Sequence, residues 1–183
     1  MNIIAPINSL GYGVAGLNIC KAMHQKTRVS LWPIAEPQLT NREDVAVIQQ
    51  QVNNAALPYW DAPCVRLWHQ HDMSQFVGNG QKIGFPVFEL DKFKDVEKHH
   101  LSYLDKIFVC SEWAKSVVLD EIDISPEHVN VIPLGVDNKT FKRVDKQKKD
   151  ATIFFNCGKW EVRKGHDVIA KCFNKAFTKD DNV

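Results

Sequence analysis

The sequence predicts an α/β fold in which a parallel sheet is covered by helices on both faces. Short apolar runs alternate along the chain with longer amphipathic stretches, the pattern of repeated strand–helix units. The runs are continuous rather than alternating, as expected for strands that are buried on both faces. Of the 183 residues, 44% are hydrophobic and 25% are charged, which is ordinary for a globular chain.

The first part of the chain carries most of the predicted elements. Apolar runs predict strands at residues 2–7, 28–32, 64–69, 82–88, 106–110 and 129–132. Amphipathic periodicity predicts helices at residues 14–26, 42–55, 95–103 and 112–121. Asn41 and Ser111 immediately precede two of these helices, and both residue types are favoured as N-caps. We therefore interpret Ser111 as a cap rather than a nucleophile, because no G-x-S-x-G elbow surrounds it.

The C-terminal part of the chain is organised differently. Residues 137–150 are polar and rich in lysine, without periodicity, and are expected to form a linker. A strand at 152–156, a loop at 158–165 and an amphipathic helix at 166–177 are predicted after it. The predicted domains are therefore 1–136, followed by the linker, and an incomplete second strand–helix unit at 151–183.

Several classes of protein are disfavoured by composition. No run of about 18 apolar residues is present, so a transmembrane helix is not expected. The N-terminus lacks the basic region of a signal peptide. Five cysteines without a C-x-x-C pair argue against a disulfide framework or a structural zinc site. We expect a cytoplasmic protein with reduced thiols and no nucleic-acid partner.

Charge is distributed unevenly. Residues 1–138 hold 11 Lys and Arg against 16 Asp and Glu, whereas residues 139–179 hold 12 against 4. A basic segment attached to an acidic body favours an anionic ligand near that segment.

A glycine motif, Gly11-x-Gly13-x-x-Gly16, follows the first predicted strand and opens the first helix. Glycines there allow backbone amides to approach a phosphate or a sugar. One interpretation is a dinucleotide fingerprint, for which Glu36 stands at the distance of the ribose-binding acid. The other is a glycine loop beside a sugar site, and a tight turn that needs small residues would give the same pattern.

Polar residues follow two further predicted strands. In His69-Gln70-His71-Asp72, a period of two places His69 and His71 on one face. These side chains would suit a sugar, a phosphate or, less well, a metal, or they are structural histidines. Glu89 follows the strand at 82–88 and is either a site carboxylate or a solvated residue.

A basic loop follows the predicted strand at 152–156. Gly158 and Gly165 bracket three cations, Lys159, Arg163 and Lys164, before a helix begins. Cations at a helix N-terminus would neutralise a diphosphate and stabilise it as a leaving group. The spacing is not that of a P-loop.

These motifs together resemble the retaining glycosyltransferases of the GT-B architecture, in particular the large family 4. The resemblance covers most of the chain and rests on five segments: LGYGVAGLNI, GFPVFELDKF, DKIFVCSEWAKSVV, VNVIPLGVDNKTF and FNCGKWEVRKGHDVI. The last three, in this order and spacing, are the most specific.

The resemblance implies two Rossmann-like domains, with the acceptor on the N-terminal one and a nucleotide-diphosphate sugar on the C-terminal one. No cofactor or metal is implied beyond that donor. Lys159 and Lys164 would contact the diphosphate, together with the neighbouring Arg163, and Gly11 and Gly13 would face the cleft. His71 and Glu89 are the two candidates for the polar group beside the reacting sugar.

The resemblance also implies several more strands and helices in the C-terminal domain than follow residue 150 here. We therefore expect either a fragment of a longer enzyme or a naturally short protein. The apolar C-terminal segment is expected to pair with a second copy, giving a homodimer through residues 151–177. Two alternatives stay open: an NAD(P)-dependent oxidoreductase that uses Gly11, Gly13, Gly16 and Glu36, and a non-catalytic binding module.

Overall fold

The computed structural model describes residues 1–138, 140–144 and 150–183, and it describes Arg163 by its backbone alone. Within these residues the chain forms two compact units, Met1–Gly135 and Val136–Val183. Part of the predicted linker at 137–150, namely residues 139 and 145–149, lies outside the described residues.

The first unit contains six strands and four helices among the residues described. The strands are β1 (Asn2–Ala5), β2 (Ser30–Pro33), β3 (Cys64–Trp68), β4 (Lys82–Pro86), β5 (Lys106–Val109) and β6 (Val129–Val131). The helices are α1 (Gly11–His24), α2 (Arg42–Asn54), α3 (Asp95–Ser102) and α4 (Glu112–Glu121), with a short 3-10 helix at Pro126–His128. Each strand boundary lies within two residues of its predicted position.

The six strands form one parallel sheet in the order β2-β1-β3-β4-β5-β6. Ile3 of β1 is level with Leu31 on one side and Val65 on the other. The predicted α/β fold with a parallel sheet is therefore confirmed. The next strand in the chain, β2, lies on one side of β1, and β3 lies on the other side. The connections that leave β1 and β3 therefore run in opposite directions across the sheet.

The core consists of two clusters of buried apolar side chains. One includes Ile3, Leu31 and Cys20 and packs against α1 and α2. The other includes Ile107 and Val118 and packs against α3 and α4. Each large aliphatic side chain in these clusters stabilises the fold by about 1.5–3 kcal/mol relative to exposure, so the sheet is a firm support for the loops at its edge.

The helix starts follow local side-chain chemistry. The Asn41 side chain accepts from the backbone N–H groups of Glu43 and Asp44, and the Ser111 hydroxyl accepts from that of Ala114. Both predicted caps are confirmed. Helix α1 begins three residues earlier than predicted, at Gly11, because the Asn8 side chain holds the Leu10 amide at 2.9 Å and Leu10 receives the first helical bond from Val14.

The second unit contains one α-helix, α5 (His166–Ala176), preceded by a 3-10 turn at Val162–Lys164. The predicted strand at 152–156 is wrong, because residues 152–159 belong to no strand or helix. A strand needs a neighbour to take its hydrogen bonds, and the described residues of this unit supply none. Phe154 instead packs edge-on against Phe173 of α5, with ring centroids 5.6 Å apart.

Candidate functional site

The strand order places a crevice at the carboxyl ends of β1 and β3. In open parallel sheets, ligands bind at the carboxyl ends of two adjacent strands whose following loops run in opposite directions, because a crevice opens between those loops. The loop from Pro6 to Leu10 follows β1, and His69 follows β3. The glycine motif and the histidine motif, which are far apart in sequence, therefore meet at this crevice.

The three glycines of α1 have different surroundings. A Cβ on Gly16 would lie 2.4 Å from the Pro6 carbonyl oxygen, and one on Gly13 would lie 2.4 Å from the Asn8 backbone nitrogen. A Cβ on Gly11 would meet nothing within 4 Å. Gly13 and Gly16 are thus required by packing inside the protein, whereas Gly11 borders open space.

This packing bears on the dinucleotide alternative. In that fingerprint the second glycine leaves room for the pyrophosphate to approach the backbone, but here Asn8 fills the space beside Gly13. Glu36 is exposed beyond the end of β2, as the alternative requires. The arrangement therefore argues against the dinucleotide interpretation, and the packing of Gly13 and Gly16 is what a tight turn that needs small residues would give.

Tyr12 links the glycine loop to the ends of β3 and β4. Its hydroxyl donates a hydrogen bond of 2.7 Å to the Val87 carbonyl and lies 2.9 Å from Nδ1 of His69. The Tyr12 and His69 rings are in contact, with centroids 4.4 Å apart. Burial, then the nearby Glu89 carboxylate and Cys110, raise the pKa of Tyr12, so the hydroxyl stays protonated at neutral pH.

The His69 ring is in contact with several other aromatic rings. Its ring contacts those of Trp68 at 4.9 Å and His71 at 5.1 Å, and His71 stacks nearly parallel to it. Partial burial and the neighbouring His71 lower the pKa of His69 below its usual 6.5. His69 is therefore neutral at pH 7, while His71 is exposed at the outer side of the pair.

The turn that carries these histidines is anchored from beneath. Arg66 of β3 is 2% exposed, and it donates to the Asp72 backbone carbonyl at 2.8 Å and to the Asp72 carboxylate at 2.5 Å. Nδ1 of His100 donates to the His71 carbonyl at 3.2 Å. The buried Gln70 amide donates to Glu97 of α3 at 3.2 Å. These bonds fix the His69–Asp72 turn against the sheet and α3.

The predicted pair His71 and Glu89 follows the carboxyl ends of the adjacent strands β3 and β4. Both are exposed, and Glu89 lies close enough to Tyr12 to raise its pKa. The structure thus brings both to the crevice edge together with Tyr12. Their catalytic role stays a prediction.

The basic loop in the second unit is organised by His166. Nε2 of His166 lies 2.8 Å from the Lys159 carbonyl, and Nδ1 lies 2.9 Å from the Asn156 amide nitrogen. The Trp160 ring stacks on His166 with centroids 5.0 Å apart. Gly165 has a φ of 63°, a conformation that favours glycine, and it turns the chain into α5. The loop backbone is therefore held over the start of that helix.

Lys159 and Lys164 both project from this loop with exposed side chains, and neither forms an ion pair with another described residue. The side chain of Arg163, the third predicted cation, lies outside the described part of the chain. Two unpaired ammonium groups beside a helix N-terminus form a positive field suited to an anion.

Sequence reasoning assigned no role to Tyr12 or His166, and it did not separate His69 from His71. The tyrosine lies inside the glycine motif, but nothing local indicates that it reaches a strand 57 residues away. His69 and His71 are equivalent by periodicity alone. His166 stands at a helix start, where its bond to a carbonyl seven residues earlier has no pattern in the sequence.

Comparisons with protein-family models, with curated proteins and with solved structures return no match for this chain. Functional inference therefore depends on the residues and their geometry. Among the residues that the structure describes, no helix is long and apolar enough to cross a membrane.

Proposed function

We propose that this chain is a glycosyltransferase, or part of one, that transfers a sugar from a nucleotide-diphosphate sugar to an acceptor hydroxyl with retention of configuration. The observation that supports the proposal is the meeting of two motifs at the carboxyl ends of β1 and β3, where Gly11 borders open space and the next residue, Tyr12, is hydrogen-bonded to His69. Open space beside a glycine, an imidazole and aromatic rings suits a neutral polyhydroxylated ligand.

Each part of the chain has a proposed task. The first unit binds the acceptor, with Gly11 beside open space and with His71 and Glu89 beside the reacting sugar, whereas Gly13 packs against Asn8. Lys159 and Lys164, with Arg163, offset the charge of the donor diphosphate, so that it leaves as a stabilised anion. The reaction breaks the bond between the sugar and the diphosphate and forms a bond to the acceptor oxygen, whose proton is released.

Donor binding can be tested on the basic loop. We expect the double variant Lys159→Ala/Lys164→Ala to weaken binding of UDP, GDP or ADP, because a hydrogen bond to a charged group contributes about 1.5–3 kcal/mol. Loss of one such contact corresponds to a roughly tenfold or greater rise in Kd. Isothermal titration calorimetry of the wild-type chain and the variant with each nucleotide measures the Kd.

The matched control is Lys171→Ala/Lys175→Ala, which removes the same charge from exposed positions of α5 outside the loop. It should leave the Kd within about twofold if the effect depends on contact rather than net charge. Equal Kd values in wild type and both variants would show that the loop is a basic surface turn that does not bind the nucleotide. Binding of NAD(P) without binding of nucleoside diphosphates would instead support the oxidoreductase alternative.

We also propose that the protein is cytoplasmic and forms a homodimer through residues 151–177. Ile153, Phe155 and Val168 are exposed within the second unit, Phe155 by 86%, and covering such side chains is favourable by about 1.5–3 kcal/mol each. Light scattering should give a dimer for the full chain and a monomer after Phe155→Ser with Val168→Ser. A monomeric full chain across the micromolar range would contradict the dimer.

A further inference from the structure

The hydroxyl of Tyr12 has a single proton, and the geometry shows which of its two neighbours accepts a hydrogen bond from it. At 2.7 Å from the Val87 carbonyl oxygen, the hydroxyl must donate, because a carbonyl oxygen only accepts. The second contact, 2.9 Å to Nδ1 of His69, then has to use a lone pair of the tyrosine oxygen. The proton in that bond comes from the imidazole, so Nδ1 of His69 carries a hydrogen.

A neutral imidazole has one N–H and one lone pair. With Nδ1 protonated, the lone pair is on Nε2, and Nε2 of His69 has no hydrogen-bond partner among the residues described. We infer that Tyr12 is a positioning residue that holds His69 in the Nδ1–H tautomer and presents Nε2 as the acceptor for a substrate hydroxyl.

The surroundings of His69 agree with a neutral ring. The His69 ring contacts Tyr12 of α1 and the Trp68 and His71 rings at the end of β3. Glu89 and Cys110, which follow β4 and β5, act on Tyr12 and raise its pKa. Partial burial and His71 lower the pKa of His69. Below that pKa the ring gains a proton on Nε2 and loses its acceptor, so substrate binding weakens as pH falls.

The tautomer is independent of the reaction, and only the identity of the substrate rests on the proposed function. A hydroxyl is the matching ligand, because the Nε2 lone pair needs a hydrogen-bond donor and the described residues contain no cluster of three or more His, Cys, Asp or Glu side chains that could hold a metal beside it. A sugar hydroxyl fits the crevice beside the open face of Gly11.

The test is nuclear magnetic resonance of the full chain labelled with ¹⁵N-histidine at neutral pH, with His69→Gln identifying the His69 signals. In wild type we expect Nδ1 to be protonated and Nε2 unprotonated. In Tyr12→Phe, which removes only the oxygen, the Nε2–H tautomer should become the major form. Circular dichroism confirms that the variant is folded.

Tyr103→Phe is the matched control, since Tyr103 contacts the ring of His99 at 4.8 Å and is exposed. It should leave the His69 signals unchanged. A wild-type His69 with Nε2–H, or a tautomer that Tyr12→Phe does not change, would overturn the inference.

The substrate role has its own readout. Addition of glucose, galactose or UDP-glucose should shift the wild-type Nε2 resonance, and the Tyr12→Phe resonance less. An unchanged Nε2 signal with all three compounds would overturn the acceptor role. Calorimetry with nucleoside diphosphates tests donor binding at the basic loop, and the NMR experiment tests the tautomer of His69. Failure of one proposal is therefore distinguishable from failure of the other.

Discussion

Replacement of Asp72 by alanine is expected to destabilise the first unit by about 3 kcal/mol. Arg66 is nearly inaccessible to solvent, and the Asp72 carboxylate is its ion-pair partner, with side chains 2% and 34% exposed respectively. Removing one partner of a buried pair leaves an uncompensated charge and costs about 3–5 kcal/mol. We expect the lower end of this range, because the Asp72 side chain is 34% exposed and the backbone carbonyl of residue 72 still accepts a hydrogen bond from Arg66 in the variant.

Urea unfolding followed by circular dichroism measures this loss. Asp61→Ala is the control, since Asp61 is exposed and forms no ion pair with the described residues, and a change within about 0.5 kcal/mol is expected for such a position. Adding Arg66→Met to Asp72→Ala removes the orphaned charge and should recover part of the stability. If Asp72→Ala is as stable as Asp61→Ala, the pair does not anchor the turn that carries His69 and His71.

Local structure was predictable where the decisive chemistry is close in sequence. The Ser111 hydroxyl accepts from an amide three residues later, and the Asn41 side chain accepts from the amides two and three residues later. Short polar side chains compete for backbone donors in this way at helix ends. The caps therefore followed from residue type and position alone.

The parallel sheet was predictable from continuous apolar runs, but its strand order was not. Which strand lies beside β1 depends on how α1 and α2 cover the faces, and this is a property of packing across the whole unit. The location of the crevice follows from that order. The same criterion of apolar density failed at residues 152–156, where Phe154 contacts Phe173 of α5 but stays 60% exposed and pairs with no strand.

The predicted site was incomplete for a related reason. His71 and Glu89 were selected because they follow strands, and they do lie at the carboxyl edge. His69 differs from His71 by its partial burial and by its hydrogen bond to Tyr12, a residue from another element. Long-range hydrogen bonds of this kind leave no periodic pattern in the sequence.

Substitution of Gly16 by alanine should have a comparably large effect. A Cβ there would lie 2.4 Å from the Pro6 carbonyl oxygen and 3.2 Å from the Ala5 Cβ. The obstacle is backbone, so α1 must move away from β1, and overpacking of this kind costs typically 1–3 kcal/mol. We expect a loss of about 3 kcal/mol, at the upper end, because no flexible side chain can yield.

Gly11→Ala is the matched control for this variant, in the same helix and with the same chemical change. Its Cβ would meet nothing within 4 Å, and alanine is the better helix former, so stability should be unchanged or up to about 0.5 kcal/mol higher. Urea denaturation of both variants measures the difference. Similar losses in both would show that the close approach of Gly16 to the Pro6 carbonyl is not what makes alanine costly in this motif. If the proposed sugar site is at Gly11, its added methyl group should weaken sugar binding while stability is retained, which would separate the packing role of Gly16 from the proposed ligand-facing role of Gly11.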